Sequence, residues 1–280
     1  MSESDKYPAE SGRRRFVKGV VGGAALAGVG ATGAAAINSA TQASGAGGGS
    51  TVAYAIENTS GPAPRGMPQI PVEVDSEGYL KGVWPEVTTE TQGGISVPVA
   101  EAEDFKGSGK TYTTEWFQYC GVESYAGVQP DYDSENYFRV GSNPGYEWQS
   151  EAYSEGDRLH VDDFSDYQEW TNGVGDPGIG KGATGRWRSE DAEDTIPIQV
   201  IRSERIEELA QEDPWLEAST QDGFVAWLNK CTHFCCVPTY KNEGSAKFGG
   251  ENDVYCQCHQ SVYNPFSLVQ TPFVARPRPE

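Results

Sequence analysis

Two short stretches near the C-terminus gather the residues able to hold a metal: Cys231-Thr232-His233-Phe234-Cys235-Cys236 and Cys256-Gln257-Cys258-His259-Gln260-Ser261. Each offers one Cys and one His as ligands, spaced C-x-H and C-x-x-H, and each holds a further Cys that can face its counterpart in the other stretch. A mixed Cys₂His₂ set suits a [2Fe–2S] centre in which thiolates hold one iron and imidazoles the other. Neutral imidazoles remove negative charge from such a cluster and raise its reduction potential to roughly −150 to +300 mV, against about −400 mV for an all-thiolate cluster. Structural zinc is the alternative, but zinc sites take their ligands as C-x₂₋₄-C and H-x₃₋₅-H, each type paired in sequence. Here each pair is mixed, and a zinc site gives Cys236 and Cys258 no role.

At these residues the chain resembles the Rieske iron–sulfur subunits of cytochrome bc-type complexes, whose boxes read C-T-H-L-G-C and C-x-C-H-G-S-x-Y. Cys231, Thr232, His233 and Cys236 match the first box; Cys256, Cys258, His259, Ser261 and Tyr263 match the second. The resemblance implies that Cys231 and Cys256 ligate the buried iron and His233 and His259 the outer one. It implies a disulfide between Cys236 and Cys258. It also implies hydrogen bonds from Ser261 and Tyr263 to a bridging sulfide and a cysteine sulfur, which favour the reduced cluster. The paired extra cysteines point to the high-potential, quinol-oxidising branch. Cys235 and Gln260 stand where the boxes have glycine, so two tight backbone positions carry side chains. No G-P-x-P run follows the second box.

Arg13-Arg14-Arg15-Phe16-Val17-Lys18 resembles the twin-arginine export signal and precedes Gly19 to Ile37, a run of 19 uncharged residues. Such export carries folded proteins, as a cluster assembled before export requires. At about 1.5 Å per residue the run reaches about 28 Å, close to a bilayer core of about 30 Å. The resemblance implies an uncleaved anchor with the remainder on the outer face, cleavage near Ala40 or Ala43 being the alternative. Residues 41–65 read as a linker: a Gly/Ser/Ala tract from Thr41 to Ser50, and a stiffer Gly61-Pro62-Ala63-Pro64-Arg65-Gly66 entry to a domain over 66–280.

Acidic residues outnumber basic ones 41 to 21, for a net charge of −20 spread along the chain. Phosphate backbones would repel it, which excludes nucleic acid as a partner. The same spread suits concentrated salt, where screening suppresses self-repulsion. Of the six cysteines, Cys120 and Cys235 remain outside the ligand and bridge set. An exported location permits disulfides, so a second bridge between these two is conceivable.

Short runs bounded by turn residues, such as 94–99, 196–201 and 224–228, indicate an antiparallel all-β fold. One helix is expected over 203–211, with Ser203 as N-cap, Glu204 in the first turn and Pro214 beyond. The resemblance adds a β-sandwich base carrying a small inserted cluster subdomain at about 229–265. The aromatic-rich stretch 107–185 exceeds what such a base needs and reads as an insertion whose aromatics form core. His160, outside the boxes, is assigned no role, and Asn58-Thr59-Ser60 fits the N-glycosylation pattern.

The resemblance implies an electron-transfer subunit with one Rieske [2Fe–2S] cluster. His259 would stand at the exposed tip and accept a hydrogen bond from quinol. A cytochrome b-like membrane subunit would hold the quinol, and a cytochrome or small copper protein would take the electron. The alternatives are the Rieske small subunit of an exported molybdenum oxidoreductase, and a zinc module with no redox role.

Overall fold

The computed structural model describes residues 49–92, 94–242 and 251–278. The expected export signal with Arg13 and Arg14, the apolar run after it and the linker up to residue 48 lie outside the described residues. Among the described residues no helix is long and apolar enough to cross a membrane.

The chain is mostly β, and every strand pair is antiparallel. In chain order the strands are β1 (Gly49–Ser60), β2 (Met67–Ile70), β3 (Val72–Val74), β4 (Leu80–Gly82), β5 (Val87–Gln92), β6 (Ile95–Ala102) and β7 (Tyr112–Thr113). They continue as β8 (Lys181–Trp187), β9 (Ile196–Arg202), β10 (Phe224–Leu228), β11 (Thr239–Tyr240), β12 (Val254–Cys256) and β13 (Ser261–Ala275). Eight of them form one sheet in the order β11-β12-β13-β1-β2-β10-β9-β8, beside two small sheets, β3-β4 and β5-β6-β7.

Strand β10, Phe224-Val225-Ala226-Trp227-Leu228, shows why the sheet is covered on both faces. All five residues are buried, yet successive side chains of a strand point to opposite faces. Phe224, Ala226 and Leu228 enter a large aromatic core with Trp116, Trp187 and Trp215, while Val225 and Trp227 enter a second core with Cys231, Cys256 and Tyr263. The two buried cysteines of the metal-capable stretches, Cys231 and Cys256, therefore belong to the smaller core.

Strand β1 corrects the expected linker. Its residues 49–60 lie inside the stretch read as flexible, yet they pair with β13 along nearly their whole length, from Gly49 opposite Ala275 to Ser60 opposite Val262. The apolar residues Ala53, Tyr54, Ala55 and Ile56 are buried, and that burial outweighs the Gly/Ser composition around them. The pairing shifts register between Ile56 and Glu57, opposite the stretch of β13 containing Pro265, which has no N–H for a ladder. Asn58 lies in this ladder, and its side-chain amide donates to the carbonyls of Ser60 (2.9 Å) and Val262 (3.0 Å), so the glycosylation pattern is folded into the sheet.

Among the described residues the helices are few and short: α1 (Glu147–Ala152), α2 (Glu204–Ala210) and α3 (Pro214–Ser219). Helix α2 is the expected one, with the Ser203 hydroxyl accepting from the Arg205 N–H at 3.2 Å and Glu204 and Glu207 favourably placed in its first turn. Pro214, expected only to end that helix, also opens α3. Asp213 caps α3 by accepting from the N–H groups of Trp215 (2.8 Å) and Leu216 (3.1 Å), and proline suits the first helical position.

The stretch 107–185 is mostly irregular chain, punctuated by single 3-10 turns at Thr114–Phe117, Val122–Ser124, Ala126–Val128 and Val161–Phe164 and by β7, α1 and the start of β8. Trp116, Phe117, Tyr119, Phe138, Tyr146 and Phe164 are all buried, and most enter the large core.

Candidate metal centre

The two Cys/His stretches are the turns that connect β10 to β11 and β12 to β13. Both close the same way. The Cys235 N–H donates to the Cys231 carbonyl at 2.9 Å, and the Gln260 N–H donates to the Cys256 carbonyl at 2.9 Å. Each turn thereby curls its N–H groups around the sulfur of its first cysteine. The Cys231 sulfur accepts from the His233 N–H, and the Cys256 sulfur from the N–H groups of Cys258 and His259.

Such turns need one left-handed residue, and the glycine-less positions supply it: φ is +61° at Cys235 and +62° at Gln260. The absence of glycine has not changed the turn. It leaves two L-residues in a conformation that costs roughly 1–2 kcal/mol each.

Cys231 and Cys256 are both 1% exposed and their thiols are hydrogen-bonded to each other. The Cys231 thiol is drawn well below the usual range by that bond to Cys256, against its burial, with further help from Tyr263, the His233 N–H and Ser261. Cys256 moves the opposite way, as the proton-holding partner of the pair. The Tyr263 hydroxyl lies 3.1 Å from the Cys231 sulfur and accepts from the Thr232 N–H at 3.3 Å.

The two histidine rings meet nearer the surface, their centroids 4.8 Å apart and their planes at 89°. Phe234, 65% exposed, leans on both rings, at 4.4 Å from His233 and 5.1 Å from His259. His259 is exposed. The Nδ1 atom of His233 is buried and has no hydrogen-bond partner, a costly state for a ring nitrogen unless something else takes its lone pair or proton. A disulfide joins Cys236 to Cys258 and ties the two turns together, with Cα atoms 6.6 Å apart.

The four expected ligands thus fall as a buried sulfur pair and an outer imidazole pair. Among the described residues, the one set of three metal-capable side chains whose ligand atoms lie within 4.8 Å of one another is Cys236, Cys256 and Cys258. Two of those sulfurs are consumed in the disulfide, so the set is no thiolate trio. A tetrahedral zinc with bonds of about 2.0–2.3 Å holds all four ligand atoms within about 4 Å of each other. Cys231, Cys256, His233 and His259 are not gathered that closely.

Sequence reading missed what holds the turns from outside. Residues 61–66, taken as a stiff entry to the domain, clasp both of them. The Ala63 N–H donates to the Ser261 hydroxyl at 3.1 Å, and the Thr232 hydroxyl donates to the Arg65 carbonyl at 2.6 Å. Gly61, at φ +84°, packs so closely that a Cβ would sit 2.3 Å from the Gln260 carbonyl oxygen. The Gly-Pro-Ala-Pro composition signals a rigid turn but not what it grips. His160 lies away from the turns, with Nε2 2.8 Å from the Glu77 carbonyl oxygen.

No family model, no curated protein and no solved structure matches the chain.

Proposed function

We propose that the chain is an exported electron-transfer subunit that carries one Rieske-type [2Fe–2S] cluster. Cys231 and Cys256 would hold the inner iron, and His233 and His259 the outer one. The observation that carries this reading is the separation of the ligands into a buried thiol pair and a near-surface imidazole pair, with an unpartnered buried Nδ1 on His233. In this reading the fold is a β base with the turn pair, β11 and β12 as its cluster-bearing part.

When bound, the cluster would supply one-electron chemistry at a raised potential. The chain's own residues set the conditions for it. Tyr263 and Ser261 direct hydroxyls at the buried sulfur side, where hydrogen bonds favour the more negative state. The disulfide and the 61–66 clasp hold both turns in one geometry. Phe234, 65% exposed and packed against both histidine rings, gives the tip an apolar rim suited to a quinol pocket on a cytochrome b-like membrane subunit. His259, exposed beside that rim, is placed to accept the quinol's hydrogen bond and take its proton. A cytochrome or small copper protein would receive the electron. The twin-arginine-like segment would anchor the chain with this head on the outer face.

The test is iron and acid-labile sulfide analysis of the purified chain, with a redox titration of the wild type and of His233→Ala and His259→Ala. About two irons and two sulfides per chain, and a midpoint within roughly −150 to +300 mV, are expected. Both variants should lose that signal. One zinc per chain without sulfide, or a titration indifferent to either histidine, would refute the reading.

A further inference from the structure

Cys235 is the residue that replaces glycine at the left-handed position of the first turn, and it carries a thiol that no part of the metal site uses. Cys120 comes from the 107–185 stretch, just after the 3-10 turn Thr114–Phe117, and is itself at φ +53°. The fold brings these two together. The Cys120 sulfur donates to the Cys231 carbonyl oxygen at 3.3 Å, and the Cys235 N–H donates to that same oxygen at 2.9 Å. The two side chains thus flank one carbonyl oxygen, near enough to interact with each other.

This approach is set by the backbone on both sides. Tyr119, next to Cys120 and buried, donates its hydroxyl to the Lys230 carbonyl at 2.8 Å and reaches the Leu228 carbonyl at 3.4 Å. Residues 119–120 are thereby registered against 228–231 by three contacts to successive parts of the chain entering the turn. Both free thiols are partly exposed, whereas Cys231 and Cys256 are sealed. An outside reagent can reach the first pair and not the second.

We propose that Cys120 and Cys235 form a second disulfide that ties the first Cys/His turn to the body of the protein. The two thiols give up two protons and two electrons in forming one S–S bond. The oxidant is a disulfide, of a small thiol such as oxidised glutathione or of a protein oxidant. One thiolate attacks it to form a mixed disulfide, the second displaces the remaining half, and the oxidant leaves as two thiols. The bridge explains why a cysteine occupies a position that favours glycine: the cross-link fixes the turn that the left-handed side chain strains. It needs no assumption about the metal, so it stands or falls apart from the proposed function.

The experiment uses the full chain, incubated folded with oxidised glutathione, then alkylated in denaturant and digested without reduction for mass spectrometry. The peptide carrying Cys120 is expected only in linkage to the peptide carrying Cys235 and Cys236, which is also joined to Cys258. In Cys235→Gly the Cys120 thiol should become fully alkylated while Cys236–Cys258 persists. Complete alkylation of Cys120 in the wild type would overturn the proposal. So would a Cys120 that stays bridged in Cys235→Gly, since its partner would then be another cysteine.

Discussion

Gln260 offers the cleanest measure of what the turns cost. Its φ of +62° places an L-residue in the left-handed region, its side chain is exposed, and its N–H bond to the Cys256 carbonyl at 2.9 Å is a backbone contact that any residue except proline can make. Gln260→Gly therefore removes strain without removing a contact. The relief is roughly 1–2 kcal/mol, and the greater freedom of glycine in the unfolded chain returns roughly 0.5–1 kcal/mol of it. The net expectation is about 0.5–1 kcal/mol more stability, or a rise of about 1–3 °C in Tm for a protein of this size. Gln260→Ala keeps the Cβ and should gain nothing, and Gln260→Asn should fall between, because asparagine tolerates this region better. The assay is urea unfolding of all four proteins at one high salt concentration. If alanine stabilised as much as glycine, the gain would come from losing the glutamine side chain, and the strain argument would be wrong.

Under the proposed function, Tyr263→Phe removes the hydroxyl 3.1 Å from the Cys231 sulfur. A hydrogen bond to a charged acceptor is worth about 1.5 kcal/mol, so the midpoint should fall by about 60 mV in a redox titration; an unchanged or higher midpoint would contradict that role. Glu115 is partly buried, and desolvation pushes its carboxyl up to about 7, with Arg278 opposing. A carboxyl raised in the folded state is harmless below its unfolded value near 4.3 and costs progressively more stability as pH rises towards 7. Glu115→Gln should match the wild type near pH 4 and exceed it by about 2 kcal/mol above pH 7, after discounting for partial exposure, in urea titrations across that range. With a net charge of −20, the unfolding midpoint should also fall as salt is withdrawn, and a flat salt profile would count against adaptation to brine.

What could be read from the sequence depended on how local its cause was. The two Cys/His turns were legible because their metal-capable residues sit within a few residues of one another, and the left-handed positions were legible because glycine was missing where a tight turn needed it. Helix α2 announced itself through Ser203 and the acids after it. Strand β1 did not, because the Gly/Ser stretch before Val52 masked an apolar run whose burial depends on pairing with β13 some two hundred residues on. The clasp at 61–66 and the meeting of Cys120 with Cys235 are likewise products of tertiary folding. The 107–185 stretch folds through irregular chain and isolated 3-10 turns, which leave no repeating pattern to read; its aromatics entered the core, as expected. Pro214 was read as a stop alone, when the preceding Asp213 also made it a start.

The pairing of β1 with β13 has a mechanical consequence. The metal-capable turns lie at the Ser60 end of β1, and the described chain begins at Gly49 at the other end. Twelve residues of strand at about 3.3 Å each make a rod of about 40 Å. Tension carried along β1 is shared among its ladder bonds to β13 rather than borne by any one of them.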